Sequence, residues 1–149
     1  MKHIILTTCL FAFPTLGFCA DFTLGDMVVS NPVARPTTAT AMAMAGAGYF
    51  TVENGGSTPD TLLEIIADFP RVMMHDTSMN DGVATMVHTG EGVIVPAGGI
   101  VTFAPGGRHV MFMGLKGDPF EIGEEIPAKL IFKKSGEMEI IFVVQDIDK

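Results

Sequence analysis

The chain has 149 residues, of which 17 are acidic and 9 are Lys or Arg, so its formal net charge is -8. That length suits one domain with a single hydrophobic core, and a net negative surface repels the phosphates of nucleic acids. Apolar residues make up 48% of the chain, while 17 glycines and 9 prolines interrupt it too often for long helices. These numbers exclude a nucleic-acid-binding protein, a coiled coil and a disordered chain, and they favour an all-β domain.

The amino terminus has the pattern of a secretion signal. Lys2 precedes an apolar run, and the first acidic residue is Asp21. The run is too short to span a membrane as a helix of the mature protein. We therefore expect a signal peptide at residues 1–20, cut after Cys19 or Ala20, and a mature domain at residues 21–149.

Export has consequences for the mature chain. Either cut removes both cysteines, so the protein has no disulfide and depends on its core for stability. A lipid anchor on Cys19 is the weaker alternative, because bulky Phe18 stands where a small residue should precede a lipidated cysteine. We expect a periplasmic protein with no membrane span.

Short apolar segments separated by turn residues follow one another along the mature chain. They recur at roughly 8 to 12 residues, which is typical of a β-sandwich or small barrel. We predict strands at residues 27–30, 46–53, 61–67, 72–77, 83–88, 92–95, 100–103, 109–113, 128–133 and 138–144. Residues 35–45 can form either a loop or the lip of a barrel.

Candidate metal ligands lie on the two predicted strands that flank Asp81-Gly82, a dipeptide typical of a two-residue type I′ turn. That turn pairs three residues of each strand: Asn80 with Val83, Thr77 with Met86, and His75 with His88. One face of the hairpin then carries His75, Met79, Met86 and His88. A three-residue turn would instead move Met86 to the face opposite His75.

A second group of candidates lies on the strand predicted at residues 109–113. Alternation sends Val110 and Phe112 to one face and the polar or sulfur-containing side chains to the other: His109, Met111 and Met113. Neutral imidazole and thioether favour Cu(I), whereas zinc sites use Cys, His and carboxylate, and calcium sites use oxygen. The pattern therefore indicates a copper site.

Not every methionine, histidine or acid is assigned to that site. We interpret six methionines as packing residues: Met27, Met42, Met44, Met73, Met74 and Met138. Five carboxylates are interpreted as solvated surface: Glu121, Glu124, Glu125, Glu137 and Glu139. His88 is either a ligand or an exposed histidine at the edge of the sheet, and the roles of Met79 and Met113 stay open.

Several segments resemble the periplasmic copper(I) chaperones of the PCuAC family: residues 46–50 with Asn54, 80–86, 94–99 and 105–116. The resemblance runs from about residue 28 to about residue 144. The motif of that family is a His, a Met after ten intervening residues, and then, after a long gap, His-x-Met. In this chain it reads His75, Met86, His109 and Met111.

The resemblance implies a cupredoxin-like Greek-key β-barrel or sandwich with a surface-accessible Cu(I) site on those four residues. It also implies delivery of copper toward the binuclear copper site of cytochrome c oxidase. The partner would be the copper-site subunit of the oxidase or one of its assembly factors. Binding of Cu(II) is left open, and we expect a monomer.

Other function classes compete with a copper carrier. The alternative is a metal-free exported β-sandwich that binds a protein partner through its edge strands; the copper content after loading separates the two. An enzyme is less well supported, because the serines lie in no Gly-x-Ser-x-Gly turn and no His-Glu-x-x-His run is present. A blue-copper protein needs a cysteine thiolate that the mature chain lacks.

Overall fold

The computed structural model describes residues 21–38, 44–80 and 82–147, and of residues 79 and 80 the backbone alone. These residues form strands and no helix, which confirms the all-β prediction. The strands are β1 (Phe22–Leu24), β2 (Met27–Ala34), β3 (Ala45–Asn54), β4 (Asp60–Ala67), β5 (Arg71–Asn80), β6 (Val83–His88), β7 (Val93–Val95), β8 (Ile100–Phe103), β9 (His109–Met113), β10 (Glu125–Phe132) and β11 (Gly136–Val144).

All the predicted strands are present, with ends that differ by up to a few residues. Strand β1 is the additional one, and its three residues are too few to produce a recognisable alternation. Residues 35–38 belong to no strand. The predicted signal peptide, Met42 and Asp81 lie outside the described residues. Among those that are described, no helix has the length and apolarity that crossing a membrane requires.

The strands pair in the order β6-β5-β9-β3-β2-β11-β10-β4-β7, with β1 added to β2 and β8 added to β3. The pairing of β2 with β11 is parallel, whereas β3 pairs antiparallel with β2, β8 and β9. Strands β4 and β5 lie far apart in this order and still contact each other. The sheet therefore closes over a single core, as in a sandwich.

The core is built from alternate residues of nearly every strand, because one face of each strand points inward. Rings of Phe50 and Phe103 stack with centroids 4.3 Å apart, and Phe112 meets Phe142 edge-on at 5.4 Å. Three methionines interpreted as packing residues are buried there: Met27, Met74 and Met138. The same interpretation is wrong for Met44, whose side chain is 70% exposed just before β3.

The surface carries most of the acidic residues that the structure describes. All five carboxylates that the sequence assigns to solvated surface are exposed: Glu121, Glu124, Glu125, Glu137 and Glu139. Glu137 pairs with Lys129 at 2.8 Å on that surface. Most of the acidic charge therefore lies on the exterior. Asp60 is buried, and its carboxylate accepts hydrogen bonds from Thr61, Lys134 and Ser135.

Strand β3 approaches the aromatic core closely where it pairs with β9. A Cβ atom on Gly48 would lie 2.8 Å from the ring of Phe112, and one on Gly46 would collide with the ring of Phe120. Glycine at both positions lets β3 lie flat on these rings. Because β9 pairs with this part of β3, the close approach also sets the position of β9.

Candidate metal centre

Strand β5 lies between β6 and β9 and carries the central histidine of the site. The register places His75 directly opposite His88 on β6 and directly opposite His109 on β9. The ring centroids are 5.8 Å apart for the first pair and 5.6 Å for the second. A row of three imidazoles therefore crosses three neighbouring strands.

The register of the β5–β6 hairpin is the one predicted for a two-residue turn. Asn80 pairs with Val83 and Thr77 pairs with Met86, and Gly82 has the positive φ of 79° that such a turn requires. The three-residue alternative is thereby ruled out. Met86 lies on the face of His75, two residues along its strand from the histidine row.

Strand β9 supplies the other half of the site. Val110 and Phe112 are completely buried in the core, so alternation turns His109 and Met111 toward the face of His75. Met111 lies opposite Met73. Met111 and Met86 are thus on opposite sides of the histidine row, each two residues away from it.

The same register gives the positions of two further methionines, Met73 and Met113. Met73 shares the face of His75 and lies outside the core cluster, so its interpretation as a packing residue does not hold. Alternation along β5 could have predicted this position from the sequence, because residues 73 and 75 of one strand share a face. Met113 lies opposite Arg71, and at about 3.4 Å per residue it is about 14 Å along the strand from His109.

Burial changes steeply across the row of histidines. His109 is only 7% exposed, whereas Met86 is 59% exposed and His88 is also exposed. His75 and Met111 are half-buried between these extremes. The site therefore begins at the core and ends at the solvent-exposed edge strand β6.

His109 is held in the form that binds a metal. Its Nδ1 lies 3.1 Å from the carbonyl oxygen of Gly107. A carbonyl can only accept, so Nδ1 carries the ring proton and donates it, and the lone pair remains on Nε2. Metal-binding histidines in proteins usually have such a hydrogen bond from the other ring nitrogen.

His75 has an unusual environment for a packing residue. Its Nδ1 is buried and has no hydrogen-bond partner within the described part of the chain, an arrangement that is uncommon in folded proteins. Burial lowers the pKa of His75 from its ordinary value, and the charges that His109 and His88 would carry lower it further. The lowered pKa favours the neutral form of His75, which is the form that coordinates a metal.

An ion pair lies beside the two central histidines. Arg108 donates to Asp76 at 2.9 Å, and the backbone N–H of Thr77 donates to the carbonyl of Gly107 at 3.3 Å. Both contacts join β5 to the residues that precede β9. They support the register that puts His75 opposite His109.

The donor set determines which ion the site can hold. Within residues 21–38, 44–80 and 82–147, no group of three or more His, Cys, Asp or Glu side chains is placed to hold a metal ion. A metal bound here must therefore take some of its ligands from methionine. Two imidazoles and two neutral thioethers form a soft set that suits Cu(I) better than Zn(II) or Ca(II).

Comparison with known proteins places the chain in a family. The profile described as "LpqE-like: Putative lipoprotein LpqE-like" matches residues 27–144. The chain belongs to the LpqE-like family. This LpqE-like protein is also 36% identical over 75 residues to "Putative lipoprotein Lxx21020" of Leifsonia xyli subsp. xyli (strain CTCB07). That match covers 50% of the chain and 45% of the relative, so it spans less than half of the relative's length.

Solved structures share the fold of the LpqE-like protein. The apo PCuAC domain from PmoF1 has a TM-score of 0.68 at 24% identity, over 85% of this chain and 98% of that domain. The copper-bound PCuAC domain from PmoF2 has a TM-score of 0.65 at 25% identity, over 85% and 97%. The Cu(I) form of DR1885 from Deinococcus radiodurans has a TM-score of 0.58 at 25% identity, over 79% and 78%. The predicted resemblance to PCuAC domains is confirmed, and the fold is a cupredoxin-like β-sandwich.

Proposed function

We propose that this LpqE-like protein is an exported copper chaperone that holds Cu(I) between His75, Met86, His109 and Met111. The observation that carries the proposal is the strand register, which brings these four side chains to one face around His75. Two of the similar solved structures, of the PmoF2 domain and of DR1885, contain copper. The copper bound in those structures supports the same cargo here.

The reach of the side chains supports a single site. Met86 and Met111 are diagonal neighbours of His75 across adjacent strands, where residues lie about 7–8 Å apart and long side chains still meet. His109 is a direct neighbour of His75. One ion above His75 can therefore receive an imidazole nitrogen from each histidine and a sulfur from each methionine. Methionine needs no deprotonation and forms no disulfide, which suits an oxidising compartment.

The exposure of Met86 supports a role in copper delivery. An incoming ligand can displace an exposed thioether, whereas His109 and the adjoining core are closed to it. We propose that the recipient is a copper-accepting protein, either the copper-site subunit of cytochrome c oxidase or an assembly factor for that site. The chaperone itself acts as a monomer and performs no catalysis.

Export can produce two mature forms. A signal peptide at residues 1–20 yields a soluble periplasmic protein when it is cut after Cys19 or Ala20. The names of the family and of the Leifsonia relative support a second form, in which Cys19 becomes the lipidated first residue. The intact mass of the exported protein distinguishes the forms, because only the second retains Cys19 with an attached lipid.

Native mass spectrometry tests the function itself. We expect one copper per chain after loading with Cu(I) and little zinc after loading with Zn(II). The quadruple replacement of His75 and His109 by Gln and of Met86 and Met111 by Leu should remove the copper and leave the protein folded. A wild-type protein that takes up no Cu(I) would favour the metal-free interaction module.

A further inference from the structure

His88 occupies a position that mirrors that of His109. Both lie directly opposite His75, one on each neighbouring strand, at ring distances of 5.8 and 5.6 Å. Both also lie two residues from a methionine on the same face, because β6 reads Met86-x-His88 and β9 reads His109-x-Met111. His75 is therefore the centre of two similar half-sites.

The ring of His88 is prepared for a metal in the same way as that of His109. Its Nδ1 lies 3.1 Å from the carbonyl oxygen of Met74, which can only accept a hydrogen bond. The proton is therefore on Nδ1, and the lone pair of Nε2 remains available. Two independent histidines in one row thus have their Nδ1 atoms tied to backbone carbonyls.

The two half-sites differ in their access to solvent. The half-site on β9 includes the buried His109 and the half-buried Met111. The half-site on β6 has both ligands exposed, and β6 is an edge strand whose six residues are all exposed. A recipient can reach a copper ion on β6 without opening the core.

We propose that His88 is a fifth copper ligand, which with His75 and Met86 forms an outer position through which Cu(I) leaves the protein. This inference rests on the proposed copper function. Copper is held mainly at the inner position, by His75, His109 and Met111 with Met86. During release, the Nε2 atom of His88 forms a bond to Cu(I) while the bonds to His109 and Met111 break. His75 and Met86 stay bound in this step, and the ligands of the recipient then displace His75, Met86 and His88; no electron is transferred, and the ion keeps its charge.

The ring nitrogens of the histidines report on the two positions separately. We would add one equivalent of Cu(I), without oxygen, to protein purified after export and record 15N spectra of the imidazoles. In the wild type, we expect full shifts for His75 and His109 and a small shift for His88, because a minor state holds about a tenth of the bound copper at most.

Met111→Leu weakens the inner position alone. The shift of His88 should then increase at least about threefold as the population moves outward, while the shift of His109 decreases. Met113→Leu is the matched control, because it makes the same change on the same strand and face but opposite Arg71; it should leave both shifts unchanged. If His88 does not shift in either the wild type or Met111→Leu, the outer position does not exist. If His75 and His109 do not shift either, the proposed function fails as well.

Transfer kinetics provide a second test. Loss of a state that holds about a tenth of the copper lowers the apparent affinity by only about 10%, so His88→Gln should bind Cu(I) nearly normally. Its transfer of copper to a strong Cu(I) chelator should nevertheless be severalfold slower. Val87→Gln, on the opposite face of β6, controls for changes in the hairpin and should transfer at the wild-type rate. Transfer at the wild-type rate by His88→Gln, or a loss of affinity as large as that of His109→Gln, would overturn the proposal.

Discussion

The two strands that flank β5 carry nearly the same pattern of candidate ligands in opposite surroundings. On β9, His109 and Met111 alternate with the fully buried Val110 and Phe112, so the backbone that carries them is part of the core. On β6, Met86 and His88 alternate with residues that are exposed as well. A site with one anchored side and one accessible side can retain an ion and still release it. The two strands therefore differ more in burial than in the identity of their candidate ligands.

The largest expected loss of Cu(I) affinity follows from replacing His75, which lies between the two strands. His75 is shared by both sides, so His75→Gln should lower Cu(I) affinity by about 100-fold or more, beyond the range seen when only a supporting residue is lost. Thr77→Val changes a neighbouring residue on the same face and should bind normally. Competition with a Cu(I) chelator measures both. An affinity within about threefold of the wild type in His75→Gln would show that the two sides bind without a common ligand.

The contribution of Met111 on β9 can be tested without disturbing the core. Met111→Leu keeps size and apolarity, so the free energy of unfolding should change by less than about 1.5 kcal/mol. Cu(I) affinity should fall by at least about tenfold, the smaller end of the range seen when a residue that supports a metal ligand is lost. Met113→Leu should change neither quantity. If a chelator titration shows that Met113→Leu loses more Cu(I) affinity than Met111→Leu, the ion lies further along β9 and Met111 is not a ligand.

The pKa of His75 predicts how the site responds to acid. Burial lowers this pKa below its ordinary value of 6.5. As the pH falls, His75 therefore becomes protonated in the unfolded chain before it does so in the folded protein. The unfolded state then binds more protons, and the stability of the copper-free protein should decrease as pH falls below about 6.5.

Urea unfolding between about pH 7.5 and pH 5 measures this decrease. His75→Gln should reduce it, because glutamine does not titrate. Cu(I) affinity should also fall at low pH, since protons and copper compete for the imidazoles while the thioethers do not titrate. An unchanged affinity down to pH 5 would mean that sulfur alone holds the ion.

The smallest expected effect concerns the contacts that hold β5 on β9. Asp76→Asn removes the charge that pairs with Arg108, but both side chains are partly exposed, at 44% and 30%. The cost to stability should therefore be at most about 1 kcal/mol. We expect Cu(I) affinity to fall by no more than about threefold, because the backbone pairing of the strands remains. Thermal unfolding and chelator competition measure the two effects, and a tenfold loss of affinity would show that the ion pair positions His109.

Local chemistry in the sequence determined much of this site. The Asp-Gly dipeptide in the sequence predicted the register that the β5–β6 hairpin has, and alternation along β9 assigned His109 and Met111 to the face opposite Val110 and Phe112. These features depend on neighbours in the chain and on the two-residue period of a strand. Most strands could be located for the same reason, and the pattern of ligands sufficed to recognise PCuAC domains as relatives.

The tertiary structure alone decided that β9 lies beside β5. The two strands are distant in sequence, and their pairing depends on the closing of the core and on the approach of β3 to the rings beneath Gly46 and Gly48. This pairing put Met73 opposite Met111 and buried His109 while Met86 stayed exposed. Periodicity assigns a residue to a face, but the depth of burial depends on which strands cover that face, and only long-range packing determines this.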